Sequence, residues 1–150
     1  MIVKSLEHLN DISKVISKKL EKGDYIFLIG EIGVGKTTLT KKLINNLQKQ
    51  YGTKETEVLS PTFNLLYEYQ IKDLKIMHYD LYRIKKTQEL SQLGIFSDNQ
   101  KSIKIIEWPD LIQTPLANKL EICLEYRKNE KERKIKFHGL RKWKNLKNEI

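Results

Sequence analysis

Apolar residues recur at helical spacing near the start of the chain and then give way to a short, continuously apolar stretch. The apolar residues at 12–20 share one helical face, and we expect this helix to begin at Asn10 or Asp11, because such residues cap helix N-termini. The stretch YIFLI at 25–29 has no polar position, as in a strand covered on both faces. A leucine then recurs at every fourth residue, which predicts a helix over about 36–50.

The rest of the chain shows strand patterns separated by polar turns. FNLLYEYQ at 63–70 and LKIMHYD at 74–80 predict two antiparallel strands. SIKIIE at 102–107 is nearly all apolar and predicts a second buried strand. KLEICLEY at 119–126 alternates strictly between apolar and polar positions and, with KIKFH at 134–138, predicts a terminal hairpin with one solvent-facing side.

These patterns predict a single α/β domain over residues 1–150, with a layered fold. The strand–helix units require a mixed, mainly parallel sheet flanked by helices, to which the hairpins add antiparallel strands. No stretch reaches the ~18 apolar residues needed to cross a bilayer, and the lone Cys123 allows no internal disulfide. We therefore expect a cytoplasmic protein with no membrane association.

Most of the net charge of +9 belongs to residues 127–150, which hold ten Lys/Arg against three Asp/Glu. A solvated lysine-rich surface is one explanation of this basic tail, and a contact surface for RNA or an acidic partner is the other. Trp143 fits the second explanation, because an aromatic ring among cations can stack on a base. However, Leu140, Trp143 and Leu146 also have the spacing of a docked C-terminal helix.

The candidate chemistry begins in GEIGVGKTT at 30–38, which satisfies G-x-x-x-x-G-K-[ST]. The glycines let successive N–H groups converge on a β-phosphate, and the helix that follows adds its positive end. Lys36 would bridge the β- and γ-phosphates, and the Thr37 hydroxyl would ligate Mg²⁺. Because the motif lies between a buried strand and an amphipathic helix, it predicts a nucleoside triphosphate site. The residues expected to contact the nucleotide here are Glu31, Gly33, Val34, Gly35, Lys36, Thr37 and Thr38.

Hydrolysis also requires an acid near the metal, at the carboxyl end of a strand beside the loop. Glu107 ends the apolar stretch IKII and is our first candidate, whereas Asp80 ends a less apolar strand, expected nearer the sheet margin, and is the second. Thr62 in SPTF is a third candidate, since it lies where GTPases place a threonine that senses the γ-phosphate. For all three, an ordinary surface carboxylate or turn residue is the alternative.

The remaining motifs bear on the class of nucleotide-binding protein. No Asp is followed by Gly three residues later, and NKLE at 118–121 is only a near match to N-K-x-D, so guanine specificity is disfavoured. A small P-loop kinase of a free metabolite would need a lid of several arginines, and Arg83 is the one arginine in mid-chain. The residues by themselves therefore predict a P-loop ATPase and leave its class open.

Four stretches together resemble the bacterial TsaE family, the ATPase of threonylcarbamoyladenosine modification of tRNA. They are GEIGVGKTT at 30–38, SPTFNLLYEY at 60–69, HYDLYRI at 78–84 and IIEWPDL at 105–111. The resemblance covers about residues 20–126. It implies a Mg²⁺-dependent protein that binds ATP or ADP and joins the TsaB–TsaD pair, with any contact to tRNA made through that complex. A small metabolite kinase is the alternative.

Carried over by motif, the resemblance implies catalytic roles for Lys36, Thr62, Asp80 and Glu107. It adds Arg83 and Trp108 to the nucleotide-binding residues and makes Glu107 a Mg²⁺ ligand beside Thr37. Core packing is the alternative role of Trp108. Two departures from the family pattern are Glu31, where Asp is frequent, and Asn64, where Thr is common, and the tail after residue 126 has no counterpart that we can place.

Overall fold

A computed structural model describes residues 1–97, 101–128 and 131–150. Positions 129 and 130 of the basic tail lie outside the described residues. The described chain forms one sheet of seven strands in the order β1-β7-β6-β2-β5-β4-β3. The strands are β1 (Ile2–Val3), β2 (Tyr25–Ile29), β3 (Leu66–Ile71), β4 (Leu74–Asp80), β5 (Ser102–Glu107), β6 (Lys119–Tyr126) and β7 (Arg133–Gly139).

The central strands are parallel and the marginal ones are antiparallel. β2 pairs in parallel with β5 and β6, and β4 pairs in parallel with β5. The hairpins β3–β4 and β6–β7 and the short pair β1–β7 are antiparallel. This confirms the predicted mixed α/β sheet with hairpin additions.

Four helices accompany the sheet in the described part of the chain: α1 (Leu6–Lys19), α2 (Lys36–Gln50), α3 (Gln88–Gln92) and α4 (Leu146–Glu149). None of them is long and apolar enough to cross a bilayer. The predicted start of α1 at Asn10 or Asp11 is wrong. Ser5 is the cap, and its Oγ accepts a hydrogen bond of 3.1 Å from the His8 N–H. Asn10 lies inside the helix, where its side-chain oxygen accepts from Asn46.

The strand predicted over 63–70 begins later than expected, at Leu66. The residues before it form a turn in which the Leu65 N–H donates to the Pro61 carbonyl at 2.7 Å. Leu65 has a left-handed backbone, with φ of 65°, which an extended strand cannot contain.

Both faces of the central sheet are buried, as the apolar stretch YIFLI requires. Ile26 and Leu28 of β2 pack with the apolar sides of α1 and α2. Tyr25 and Phe27 point to the opposite face and pack with α3 and the segment after β5. Alternate residues of one strand thus complete two separate apolar clusters.

The C-terminal segment is docked onto the first of these clusters. Trp143 is 2% exposed and Leu146 1% exposed, whereas Leu140 is on the surface. The docked-helix explanation therefore holds for Trp143 and Leu146, and the buried Trp143 ring cannot stack on a base. Lys142 directs its charge into the domain, since its Nζ lies 2.6 Å from the buried Asp24 carboxylate.

The parallel strands place the two candidate acids side by side. β4 and β5 are in register so that Asp80 lies opposite Glu107, and Glu107 lies opposite Leu28 of β2. Asp80 is 4% exposed and Glu107 3%. The turn before β3 contacts Asp80, whose carboxylate accepts from Thr62 and whose N–H donates to the Leu65 carbonyl. β4 lies one strand nearer the sheet margin than β5, as the sequence led us to expect, but Asp80 is nearly as buried as Glu107, so burial does not separate the two acids.

Candidate nucleotide-binding site

The glycine-rich loop leaves the carboxyl end of β2 and leads directly into α2. A Cβ on Gly30 would lie 2.4 Å from the Leu124 carbonyl oxygen of the neighbouring strand, so only glycine fits there. Gly35 is the N-cap of α2 and has φ of 113°, a value that side-chain-bearing residues rarely adopt. The tight turn that brings N–H groups together thus depends on these two glycines.

Lys36 is folded over the loop, although it lies at the first position of α2. Its Nζ donates to the carbonyls of Gly30 and Glu31, at 2.7 and 2.8 Å. The same ammonium lies 4.2 Å from the centroid of the Trp108 ring. Burial lowers the pKa of Lys36, and the carboxylates of Glu107, Asp80 and Asp110 oppose that shift. A positive group is therefore held among acids at the mouth of the loop.

Glu107 and Thr37 meet below the loop and form a suitable donor set for Mg²⁺. The Thr37 hydroxyl donates to Glu107 Oε1 at 2.9 Å. This bond uses the proton of the hydroxyl and leaves the oxygen lone pairs free to bind a cation. Hydroxyl and carboxylate oxygens are the hard ligands that Mg²⁺ prefers, so the pair fits the metal implied by the sequence.

His78 belongs to the same group, although sequence analysis assigned it no role. Its side chain is fully buried, with Nε2 2.8 Å from Glu107 Oε1. Since Glu107 accepts, Nε2 carries the proton and donates, and Nδ1 is a buried atom without a partner among the described residues. A signal was present: His78 lies two residues before Asp80, so strand periodicity places both on one face.

Asp80 connects two turns to the site. Its Oδ2 accepts from the Thr62 hydroxyl at 3.1 Å, and its Oδ1 accepts from the Tyr82 N–H at 3.0 Å. Ser60 lies 2.8 Å from Thr62, oxygen to oxygen. The SPTF segment is thereby held against the end of β4, next to the end of β5.

Trp108 occupies a strained position directly after Glu107. Its φ of 58° and ψ of 59° are left-handed, which is uncommon for a bulky residue and costs on the order of 1–3 kcal/mol. The turn brings its half-buried ring over Lys36 and to 4.8 Å from the Tyr82 ring, centroid to centroid. The ring also packs partly on the second apolar cluster, which agrees with the alternative role of core packing, and its contact with the nucleotide stays a prediction.

These side chains surround a cavity of about 250 Å³, which we call the acidic cavity. It is lined by Ile32, Gly33, Gly35, Lys36, Thr37, Thr38, Ser60, Thr62, Asp80, Glu107 and Trp108. Three predicted residues are not among its described lining. Val34 is packed in the core, Glu31 contributes its backbone carbonyl to Lys36, and Arg83 lies over the exposed Phe63 ring at 5.1 Å.

A second cavity of about 350 Å³ also adjoins the loop and shares Gly33, Gly35 and Thr38 with the acidic one. We call it the apolar cavity. Its other lining residues are Val3, Ser5, Leu6, Leu9, Val34, Leu124, Lys131 and Arg133. Of these, the sequence identified Val34 alone, which belongs to the loop. The others come from β1, α1, the residue before α1 and the terminal hairpin, which no local motif connects.

The chain is similar to known proteins in sequence and in structure. The family model described as "Threonylcarbamoyl adenosine biosynthesis protein TsaE" matches residues 3–135. The tRNA threonylcarbamoyladenosine biosynthesis protein TsaE of Rickettsia felis is 33% identical over 126 residues, which are 83% of this chain and 71% of the relative. The protein of the same name from Bacillus subtilis is 33% identical over 132 residues, which are 87% and 79% of the two chains. The crystal structure of YdiB from Bacillus subtilis superposes with a TM-score of 0.73 and 26% identity, covering 99% of this chain and 90% of that one.

Proposed function

The chain belongs to the TsaE family, and from this membership we propose that it is the Mg²⁺-dependent ATP-binding and ATP-hydrolysing subunit that supports threonylcarbamoyladenosine modification of tRNA. It would act together with TsaB and TsaD, in the cytoplasm, where tRNA is modified, and would meet tRNA through that complex. The observation that carries the nucleotide part is the glycine loop joined to a buried acid through the bond between Thr37 and Glu107.

The two cavities suggest how the nucleotide lies. The acidic cavity suits the terminal phosphates, because it holds Lys36, the metal donors and the start of α2. The apolar cavity suits the adenine and ribose, because its walls are mainly aliphatic and it adjoins the loop at Thr38. A triphosphate running across the loop glycines would connect them.

Each residue of the acidic cavity then has a role in hydrolysis. Lys36 would transfer its ammonium from the loop carbonyls to the phosphate oxygens and there stabilise the charge that develops in transfer. Thr37 and Glu107 would hold Mg²⁺, which neutralises phosphate charge when bound. Asp80 would orient Thr62 toward the γ-phosphate, and Trp108 would fix the position of Lys36. Arg83 is the arginine nearest in sequence to this group and would approach the phosphates from the SPTF side.

We expect hydrolysis to depend on a partner because few positively charged side chains are available near the candidate site. Arg83 is the one mid-chain arginine, and it lies over Phe63. Groups supplied by a partner can raise phosphoryl-transfer rates by ~10³ or more. We therefore expect the isolated protein to bind ATP or ADP and to turn over slowly, and TsaB–TsaD to change that rate.

Reconstitution tests this proposal. ATP hydrolysis is measured for the protein alone and with TsaB–TsaD, using wild type, Lys36→Ala and the control Lys41→Ala, which alters an exposed lysine one turn further along α2. Lys36→Ala should abolish productive ATP binding and lower the melting temperature slightly, whereas Lys41→Ala should resemble wild type. Robust hydrolysis without partners would refute the partner-dependent ATPase model. Phosphate transfer to a free metabolite by the protein alone would support the kinase alternative.

A further inference from the structure

The terminal hairpin contacts the phosphate loop through two side chains that face each other across β6 and β7. Tyr126 ends β6 and is in register with Arg133, which begins β7. The Arg133 guanidinium lies 4.3 Å from the centroid of the Tyr126 ring. The Tyr126 hydroxyl donates to the Ile32 carbonyl at 3.1 Å, and Arg133 Nε donates to the Val34 carbonyl at 3.0 Å.

These two bonds fix the orientation of the loop amides that would meet a phosphate. In a trans peptide, the carbonyl of one residue and the N–H of the next point in opposite directions within one plane. Holding the Ile32 carbonyl therefore directs the Gly33 N–H, and holding the Val34 carbonyl directs the Gly35 N–H. Both glycines line the acidic and the apolar cavities. An anion-binding loop needs such N–H groups aimed at one point.

The hairpin bonds differ from those that Lys36 makes to the same loop. Lys36 holds the carbonyls of Gly30 and Glu31. A lysine that moves to the phosphates releases these two carbonyls, whereas Tyr126 and Arg133 can keep their bonds with the nucleotide bound. The hairpin thus holds the loop through hydrogen bonds that do not depend on the position of the Lys36 ammonium.

We propose that Tyr126 and Arg133 are positioning residues that hold the phosphate loop in its binding conformation, so that the terminal hairpin sets the affinity for nucleotide. The ligand named here rests on the proposed function, whereas the effect on the loop does not. One member of the basic tail thereby has a defined role, because Arg133 acts on the backbone of the same domain.

The test uses the whole 150-residue chain with Tyr126→Phe or Arg133→Gln. Tyr51→Phe removes a hydroxyl at the far end of α2, and Lys134→Gln removes a charge from the exposed neighbouring position on β7. These two variants are the matched controls. Hydrogen exchange of the amides of residues 30–35 is followed without ligand, and ADP affinity is measured by titration calorimetry.

Faster exchange is expected in the loop of both variants, with exchange in the central strands unchanged. ADP affinity should fall about threefold to tenfold for Tyr126→Phe and roughly tenfold to a hundredfold for Arg133→Gln, whose bond is charge-assisted. Tyr126 is not among the described residues that line either cavity, so its effect on affinity must pass through the loop. Arg133 also lines the apolar cavity, so its effect can include direct contact.

Other outcomes distinguish a failure of this proposal from a failure of the proposed function on which it rests. Loop exchange equal to wild type in both variants, or acceleration that spreads equally to the central strands, would overturn the positioning role and leave nucleotide binding intact. A wild-type protein that binds no ADP would refute the proposed function, while the exchange measurement would still decide whether the hairpin holds the loop.

Discussion

Two substitutions of Glu107 distinguish the effect of its negative charge from the effect of its hydrogen bonds. Its Oε1 accepts from Thr37 at 2.9 Å and from His78 at 2.8 Å. In Glu107→Gln the amide oxygen can still accept both bonds, while the negative charge is lost. In Glu107→Ala the charge and the acceptor are both lost, and the fully buried His78 loses its hydrogen-bond partner.

The two variants should therefore differ in stability and agree in activity. A hydrogen bond to a charged group contributes roughly 1.5–3 kcal/mol, and a buried donor left unpaired costs about 1–3 kcal/mol. Since Thr37 is partly exposed and can turn to water, we expect Glu107→Ala to lose about 2–4 kcal/mol of unfolding free energy, and Glu107→Gln to change it by about 1 kcal/mol or less. Both should slow ATP hydrolysis by on the order of 10²–10³-fold, as when one preorganised electrostatic group is removed.

Urea unfolding gives the stabilities, and phosphate release with TsaB–TsaD present gives the rates. Glu68→Gln is the control, because Glu68 is an exposed carboxylate on β3. Hydrolysis by Glu107→Gln within threefold of wild type would refute the assignment of Glu107 as the essential acid. Equal stability of the Ala and Gln variants would show that the bonds from Thr37 and His78 add nothing to the fold.

Substitutions of His78 and Lys142 probe the surroundings of the site and the basic tail. His78→Gln keeps a hydrogen-bond donor for Glu107, whereas His78→Leu does not. We therefore expect hydrolysis about tenfold slower for the Leu variant than for the Gln variant, with rates measured against Mg²⁺ concentration. Equal rates would exclude a role of His78 in orienting Glu107. Lys142→Met should cost about 1–3 kcal/mol in urea unfolding, because it leaves the buried Asp24 without its cation, while Lys144→Met on the exposed side should not. Burial raises the pKa of Asp24, with Lys142 opposing, so the carboxyl is neutral below that pKa and the cost should shrink on acidification; a loss that is independent of pH would contradict this reasoning.

Much of the fold could be predicted because local periodicity reports burial. The bounds of β2, α2, β4, β5 and β6 agree with those expected from the sequence. The errors have local causes as well. Ser5 caps α1 one turn before Asn10, and the turn at Leu65 shortens β3. A weak cap signal and a left-handed residue leave little trace in a hydrophobic pattern.

The arrangement of the candidate site could be predicted only where one continuous motif contains its residues. The loop from Gly30 to Thr38 was identified from the sequence, because a short segment supplies its glycines, its lysine and its threonine. The ranking of Glu107 above Asp80 rested on expected burial, and the structure buries both almost equally. The neighbours of an acid depend on strand order, which the composition of a single strand does not reveal.

By itself, the sequence determined the class of the fold, the glycine-rich loop between β2 and α2, and the family, since these depend on spacing within short segments. The tertiary structure decided that His78 of β4 meets Glu107 of β5, and that Tyr126 and Arg133 of the terminal hairpin hold the loop after β2. These contacts join residues up to 99 positions apart. They follow from strand register and from the parallel pairing that brings strand ends to one edge of the sheet, and local patterns contain neither.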